Sequence, residues 1–185
     1  MASTDKVYIS ANQQLRDSFR MAKAIWESGW LPDLLIGLWR GGTPIAITIH
    51  EYFVYRGHRC HHMPVKCSSY TGQKRTHELQ IDFPEDFLED IHKDSKVLLV
   101  DDCFDTGKTA MKMKEILEAH GAETRIATLF WKPDNNMTQG KPDYYMRAVN
   151  DWIVFPHELE GLSDVEIARK DPEIADILGI SSKRD

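Results

Sequence analysis

The segment Val97-Leu98-Leu99-Val100-Asp101-Asp102-Cys103-Phe104-Asp105-Thr106-Gly107-Lys108-Thr109 constrains this chain more than any other. Its apolar run is too short for a core helix and has the length of a strand buried on both faces. Two carboxylates end the run. Asp105 then opens a Thr-Gly-Lys-Thr turn into an amphipathic stretch, Thr109 to His120, with Met113, Ile116 and Leu117 on one side and Gly121 in the C′ position. Strand, turn and helix in that order form one unit of an α/β sheet.

Similar units flank it. Asn12 to Glu27 reads as a helix with Leu15, Phe19, Ala22 and Trp26 on its apolar stripe and Gly29 as its stop. Leu34 to Trp39 reads as a buried strand, Thr43 to Tyr55 as a helix, and Arg59 to Val65 as a strand. Lys66 to His77 is polar and reads as a loop, and Pro84 to His92 as one or two helical turns. The central strand is expected over Lys96 to Val100, with Asp101 to Lys108 as connection. Further strands follow at Thr124 to Trp131, Tyr144 to Ala148 and Trp152 to Phe155, with a loop over Pro133 to Pro142. Ser163 with Glu166 makes a capping box, and Asp171-Pro172-Glu173 starts a last short helix. Strands alternating with helices predict a parallel sheet, whose ligands sit at the carboxyl ends of the strands. Those ends fall just after Trp39, Val100 and Trp131.

The chemistry of the central turn can be narrowed. Backbone amides at a helix start after a glycine turn form an anion nest, and Thr106 and Thr109 add hydroxyl donors. A nucleoside-triphosphate loop needs glycine five residues before the Gly-Lys pair, and position 102 is Asp. Gly37-Leu38-Trp39-Arg40-Gly41-Gly42 does not match the dinucleotide fingerprint either. A nest beside three carboxylates suits a ligand with a phosphate at one end and hydroxyls plus Mg²⁺ at the other. The plainer reading of Asp105 is a helix cap, and the two are compatible.

Charge then bears on partners. The 185 residues hold 29 acids and 23 bases, a net of −6, which argues against a nucleic-acid or anionic-membrane binder. The distribution is uneven. Glu78 to Asp94 and Glu158 to Leu178 together carry −11, so the rest of the chain carries +5, and Lys66 to Arg75 holds three bases and no acid. A small phosphate ligand is thus compatible with an acidic protein. Three cysteines, Cys60, Cys67 and Cys103, predict reduced thiols and a cytoplasmic protein. The histidines around Cys60 and Cys67 lack structural-zinc spacing.

The stretch VLLVDDCFDTGKTA resembles the diphosphoribosyl-binding motif of type I phosphoribosyltransferases. Leu35 to Pro44 is similar to that family's pyrophosphate loop, and Cys67-Ser68-Ser69-Tyr70-Thr71 to the flexible catalytic loop of its purine branch. Phe130-Trp131-Lys132-Pro133, Pro142 to Tyr145 and Asp151 to Val154 resemble the base-binding part of 6-oxopurine members, nearest the bacterial xanthine–guanine type. The resemblance spans residues 7 to 160. It implies an α/β fold: a parallel-sheet core flanked by helices, with a small purine-binding hood. The hood would come from the N-terminal and 142–160 segments, and 161–185 would be an acidic helical extension.

The resemblance also implies a reaction, a purine base and phosphoribosyl pyrophosphate giving a nucleoside monophosphate and pyrophosphate, with Mg²⁺ as cofactor. It implies Asp105 as acid/base near purine N7, and Asp101 and Asp102 near the ribose hydroxyls and metal, with Glu158 as a further metal-side carboxylate. Thr106, Gly107, Lys108 and Thr109 would cradle the 5′-phosphate. Arg40, Gly41 and Gly42 would meet the pyrophosphate, after a cis or strained peptide at Trp39–Arg40. Lys132 would donate to the 6-oxo group, Trp152 would stack on the purine, and the Ile153 backbone would meet its edge. Ser69, Tyr70 and Arg75 would belong to the closing loop. A homodimer or homotetramer is expected. The alternative on the same fold is a non-catalytic protein that senses a phosphoribosyl ligand.

Overall fold

The computed structural model describes residues 6–69, 79–82, 87–88 and 91–180. Six strands form the main sheet in the order β4-β3-β2-β5-β6-β7. These are β2 (Leu34–Trp39), β3 (His61–Ser69), β4 (Leu79–Asp82), β5 (Lys96–Phe104), β6 (Glu123–Trp131) and β7 (Tyr144–Ala148). All neighbours run parallel except β3 and β4. A separate two-stranded parallel ribbon pairs β1 (Lys6–Tyr8) with β8 (Trp152–Val154).

Both sheet faces are covered, which is why β2 and β5 read as continuous apolar runs. On one face α1 (Ala11–Glu27) and α2 (Gly42–Tyr55) bury Met21, Ile25, Ile45, Ile49 and Phe53 against Leu35, Leu98 and Val100. On the other, α3 (Lys108–Ala119) buries Met113 and Leu117 against Ile36, Leu99 and Ile126. The short helices α4 (Asp164–Lys170) and α5 (Pro172–Ile177) close the chain. Ser163 and Glu166 form the expected reciprocal capping box at the start of α4.

Several sequence-based expectations shift. The buried face of α1 is Gln14, Asp17, Ser18, Met21, Ala22 and Ile25, while Leu15 and Phe19 stand about half exposed. Asp17 tolerates burial because Arg20 and Arg147 pair with its two carboxylate oxygens, at 2.6 and 3.0 Å. The central strand does not stop at Val100. Asp101, Cys103 and Phe104 stay in register with Thr128, Phe130 and Trp131 of β6, so the carboxylates ride on a strand rather than a loop. β3 likewise continues to Ser69, beyond the expected end at Val65, because β4 pairs with its last four residues. Tyr144 to Ala148, expected in the hood, joins the main sheet beside β6, and Asp143 fixes that edge by accepting from the Ile126 amide at 2.8 Å. Most of Pro84 to His92, with its expected helical turns, lies outside the described residues.

The strand order dictates where a ligand goes. From β2 the chain moves outward to β3, and from β5 it moves the other way through β6 to β7. The switch point lies between β2 and β5, and their carboxyl ends open the crevice there.

Candidate functional site

At the end of β2 the Trp39–Arg40 peptide is cis, and the chain turns at Gly41 and Gly42 into α2. These glycines are required by their neighbours. A Cβ on Gly42 would stand 2.0 Å from the Val100 carbonyl oxygen, and one on Gly41 would stand 1.8 Å from Asp102 Oδ2. The loop is therefore pressed onto the end of β5, directly against the carboxylate pair.

At the end of β5, Asp102 donates its amide to Asp101 Oδ1 at 3.0 Å. Burial, then the neighbouring Asp102 charge, raises Asp101 well above the usual carboxylate range. Burial, then Glu158, pushes Asp102 up to about 7. Paired acids raised this way favour a cation between or beside them. Cys103 packs partly buried against the core, and burial pushes its thiol up, which makes it a packing residue rather than a reactive one. None of the three cysteines is in a disulfide.

The turn 105–109 leads into α3 with Gly107 as N-cap at φ 76° and no side-chain cap bond. Asp105 is therefore not the cap. Its Oδ1 accepts from Asn135 Nδ2 at 2.9 Å and its Oδ2 faces Lys132 Nζ at 3.7 Å. Lys132 is only 12% exposed, so its ammonium is aimed at this carboxylate rather than at bulk water. The turn is stitched to the following loop by Met137 N donating to Thr106 O at 2.9 Å. Thr106 and Lys108 are exposed and Thr109 half-buried, so the turn faces outward for a ligand.

A cavity of about 310 Å³ opens between these two strand ends, lined by Arg40, Gly41, Asp102 and the 157–160 segment. Arg40 Nη2 pairs with Glu160 at 3.2 Å across its mouth. His157, Glu158 and Asp102 converge there, with one ligand atom of each within 4.8 Å of the others. His157 stacks on Phe155, and burial lowers its pKa, so the ring is a neutral donor at physiological pH. A carboxylate pair plus a neutral imidazole is a donor set that fits a divalent cation. A larger cavity, about 540 Å³, lies at the amino ends of β2 and β3 around Asp33, Leu34 and His61, away from the switch point.

Trp152 stands at the head of β8, 50% exposed, so it is not a core tryptophan; Ile153 beside it is buried. Phe130, by contrast, is a core residue at the end of β6, and Trp131 packs edge-on against Tyr145. Of the expected loop residues, Ser69 ends β3, while Tyr70 and Arg75 lie outside the described residues.

The structure thus brings Arg40, Gly41, Asp102 and Glu158 to one cavity, with Gly42 packed against Val100 and Asp101. Asp105, Lys132 and Asn135 form a second group beside the turn into α3. Three contributors were missed in the sequence. Asn135 sits in an irregular loop with no periodic signal. His157 drew no attention beside Glu158. Glu160 is five residues beyond the expected strand end at Phe155. The only available cue was their closeness in sequence to Lys132 and Glu158.

Comparison with known proteins shows the family to which this fold belongs. A family model described as phosphoribosyl transferase domain matches residues 9–163. A hypoxanthine-guanine phosphoribosyltransferase of Lactococcus lactis is 30% identical over 146 residues, 76% of this chain and 74% of the relative. The crystal structure of a purine phosphoribosyltransferase from Pyrococcus horikoshii superposes with a TM-score of 0.71 at 32% identity, covering 86% of this chain and 97% of that one. A Helicobacter pylori xanthine-guanine-hypoxanthine phosphoribosyltransferase shares the fold, with a TM-score of 0.66 at 21% identity over 92% of this chain and 99% of the other. The chain belongs to the phosphoribosyl transferase domain family.

Proposed function

We propose that this protein transfers the phosphoribosyl group of phosphoribosyl pyrophosphate to a 6-oxopurine, releasing pyrophosphate, as an enzyme of purine salvage. The observation that carries the reading is the pair Lys132–Asp105, held by Asn135 beside the phosphate turn at the carboxyl end of β5. The relatives act on hypoxanthine, guanine and xanthine by their names, and the site residues suit that class.

In this reading the purine lies between Trp152 and the Lys132–Asp105 pair. Purine N9 attacks C1′ of the ribose as the C1′–O bond to pyrophosphate breaks. Positive charge grows on the sugar and negative charge on the leaving group. Asp105 exchanges a proton with the purine ring at N7, and Asn135 orients its carboxyl for that task. Lys132 donates to the 6-oxo acceptor. An amino group there would present a donor to a donor, which excludes adenine. The amides of 106–109 hold the 5′-phosphate, and Arg40 exchanges Glu160 for the pyrophosphate. Asp101 and Asp102 accept from the ribose hydroxyls. Mg²⁺ fits the Asp102–Glu158 side of the cavity and, when bound, neutralises pyrophosphate charge. Ser69, Tyr70 and Arg75 would close the site and exclude water. No helix among the described residues is long and apolar enough to cross a membrane, and we place the reaction in the cytoplasm.

A direct assay tests this. The protein with Mg²⁺ and phosphoribosyl pyrophosphate is given hypoxanthine, guanine, xanthine or adenine separately, and nucleotide and pyrophosphate are measured. Oxopurines should yield product and adenine none. No nucleotide from any base overturns the proposal and leaves the ligand-sensing alternative. Asp105→Asn should lower kcat by roughly 10²- to 10⁴-fold. Full activity in that variant would remove the residue from the mechanism.

A further inference from the structure

The family match ends at residue 163, and α4 begins at Asp164. This helix nevertheless touches the purine ribbon at several points. Lys6 of β1 stands in register with Trp152 of β8. The Lys6 ammonium lies 5.4 Å from the centre of the Trp152 ring and 2.6 Å from Glu166 Oε1 of α4. The other oxygen of Glu166 accepts from the Ser163 amide and hydroxyl, both at 2.9 Å, so both oxygens of the carboxylate are engaged. Arg169 of α4 covers the Tyr8 ring at 5.6 Å. Lys170 at its end donates to the backbone carbonyl of Glu158. Ile167 is buried beneath.

The ribbon itself is slight. Three register pairs hold it, and its stacking tryptophan is half exposed. Such a short ladder does not fix an indole ring. A cation locked over one face does, and it leaves the opposite face for a base. Lys6 alone would not be locked, because an exposed lysine samples many rotamers. Glu166 supplies the lock, and the capping box holds Glu166 in turn. Lys6 and Glu166 are 22% and 30% exposed, less open to water than an ordinary surface pair.

We propose that Lys6 and Glu166 are positioning residues for the purine: α4, outside the family domain, sets the orientation of Trp152 through them and so sets affinity for the base. This rests on the phosphoribosyltransferase reading given above. Phosphoribosyl pyrophosphate binds at the strand ends and is not reached by this contact.

The test uses Lys6→Met, which keeps the apolar stem, and Glu166→Gln, which keeps a capping-box acceptor and loses the charge. Lys6→Arg restores the cation, and Glu173→Gln on α5 is the control. Both disrupting variants should raise the purine KM roughly 3- to 10-fold, with kcat and the phosphoribosyl pyrophosphate KM within about twofold. The double variant should be no worse than either single one, because the two residues act through one contact. Lys6→Arg should recover most of the loss. An unchanged purine KM with a lowered Tm would overturn the proposal in favour of a merely structural contact. A second readout needs no activity. The indole N–H resonance of Trp152, assigned with Trp152→Phe, should shift in both variants and not in Glu173→Gln. A fixed resonance overturns the positioning role, whereas a wild-type protein that makes no nucleotide overturns the functional reading instead.

Discussion

Asp102 joins three demands on one carboxylate. It rides on β5 two residues before the strand's end, presses against Gly41, and faces Glu158 across the cavity. Its folded pKa of about 7 against an ordinary 3.8 means the folded chain holds the proton more tightly than the unfolded one. The resulting stability is fully present below about pH 4 and is lost as pH climbs through 7. Asparagine carries no such charge. Asp102→Asn should therefore raise Tm by roughly 3–6 °C at pH 8, about 1–2 kcal/mol, and by nothing at pH 4. The same variant should lose most of its activity, since the proposed cation and ribose contacts would go with the charge. Thermal melts across pH decide it: a Tm difference independent of pH would show that the shift in Asp102 is not what limits stability. Asp102 stands out in the sequence through the spaced motif around it, and Lys132 through the family resemblance of Phe130 to Pro133. Asn135 was not, since its role exists only once the 133–135 turn folds back within 2.9 Å of Asp105.

Elements were legible where the apolar pattern was continuous. Leu34–Trp39 falls between the residues expected, because a strand buried on both faces needs no alternation to be seen. Two strands carry too little pattern of their own to be read and depend on a partner strand. β1 has three residues and exists through its pairing with β8, and β4 through its antiparallel pairing with β3. The α1 stripe was misplaced for a related reason: buried Asp17 carries no apolar signal, yet its partners Arg20 and Arg147 make it part of the core face. The turn after β2 packs closely against β5. Gly42→Ala would drive a methyl into the Val100 carbonyl, a backbone atom that cannot rotate away. The expected cost is about 2–3 kcal/mol, or a Tm roughly 5–10 °C lower, together with loss of phosphoribosyl pyrophosphate binding. Gly57→Ala meets open space and only the strain of φ 87°, so it should cost about 1 kcal/mol and leave binding intact. Equal effects of the two substitutions would refute the close-approach account.

At the scale of the whole molecule, the crevice is as acidic as the chain, with Asp102, Glu158 and Glu160 beside Arg40 and with Asp105 beside Lys132. The protein is −6 overall, and the cations that an anion would meet at the strand ends are Arg40 and Lys132, beside the amides of the 106–109 turn. Two acidic segments account for the imbalance, and one of them contains α4, whose Glu166 and Lys170 are tied to Lys6 and to the Glu158 carbonyl. Salt separates the two influences. Raising ionic strength from 0.05 to 0.5 M shortens the screening length from roughly 14 Å to about 4 Å. If long-range repulsion from the acidic shell governs encounter, screening should help a highly charged anion bind. If the local cations govern, screening should hurt it. The crevice geometry favours the local term, because Arg40 and the turn amides lie at the strand ends themselves. The KM for phosphoribosyl pyrophosphate should therefore rise roughly 3- to 10-fold over that range, while the KM for the neutral purine changes less than about twofold. A KM for the anion that falls with salt would show that the shell, and not the crevice, controls its approach.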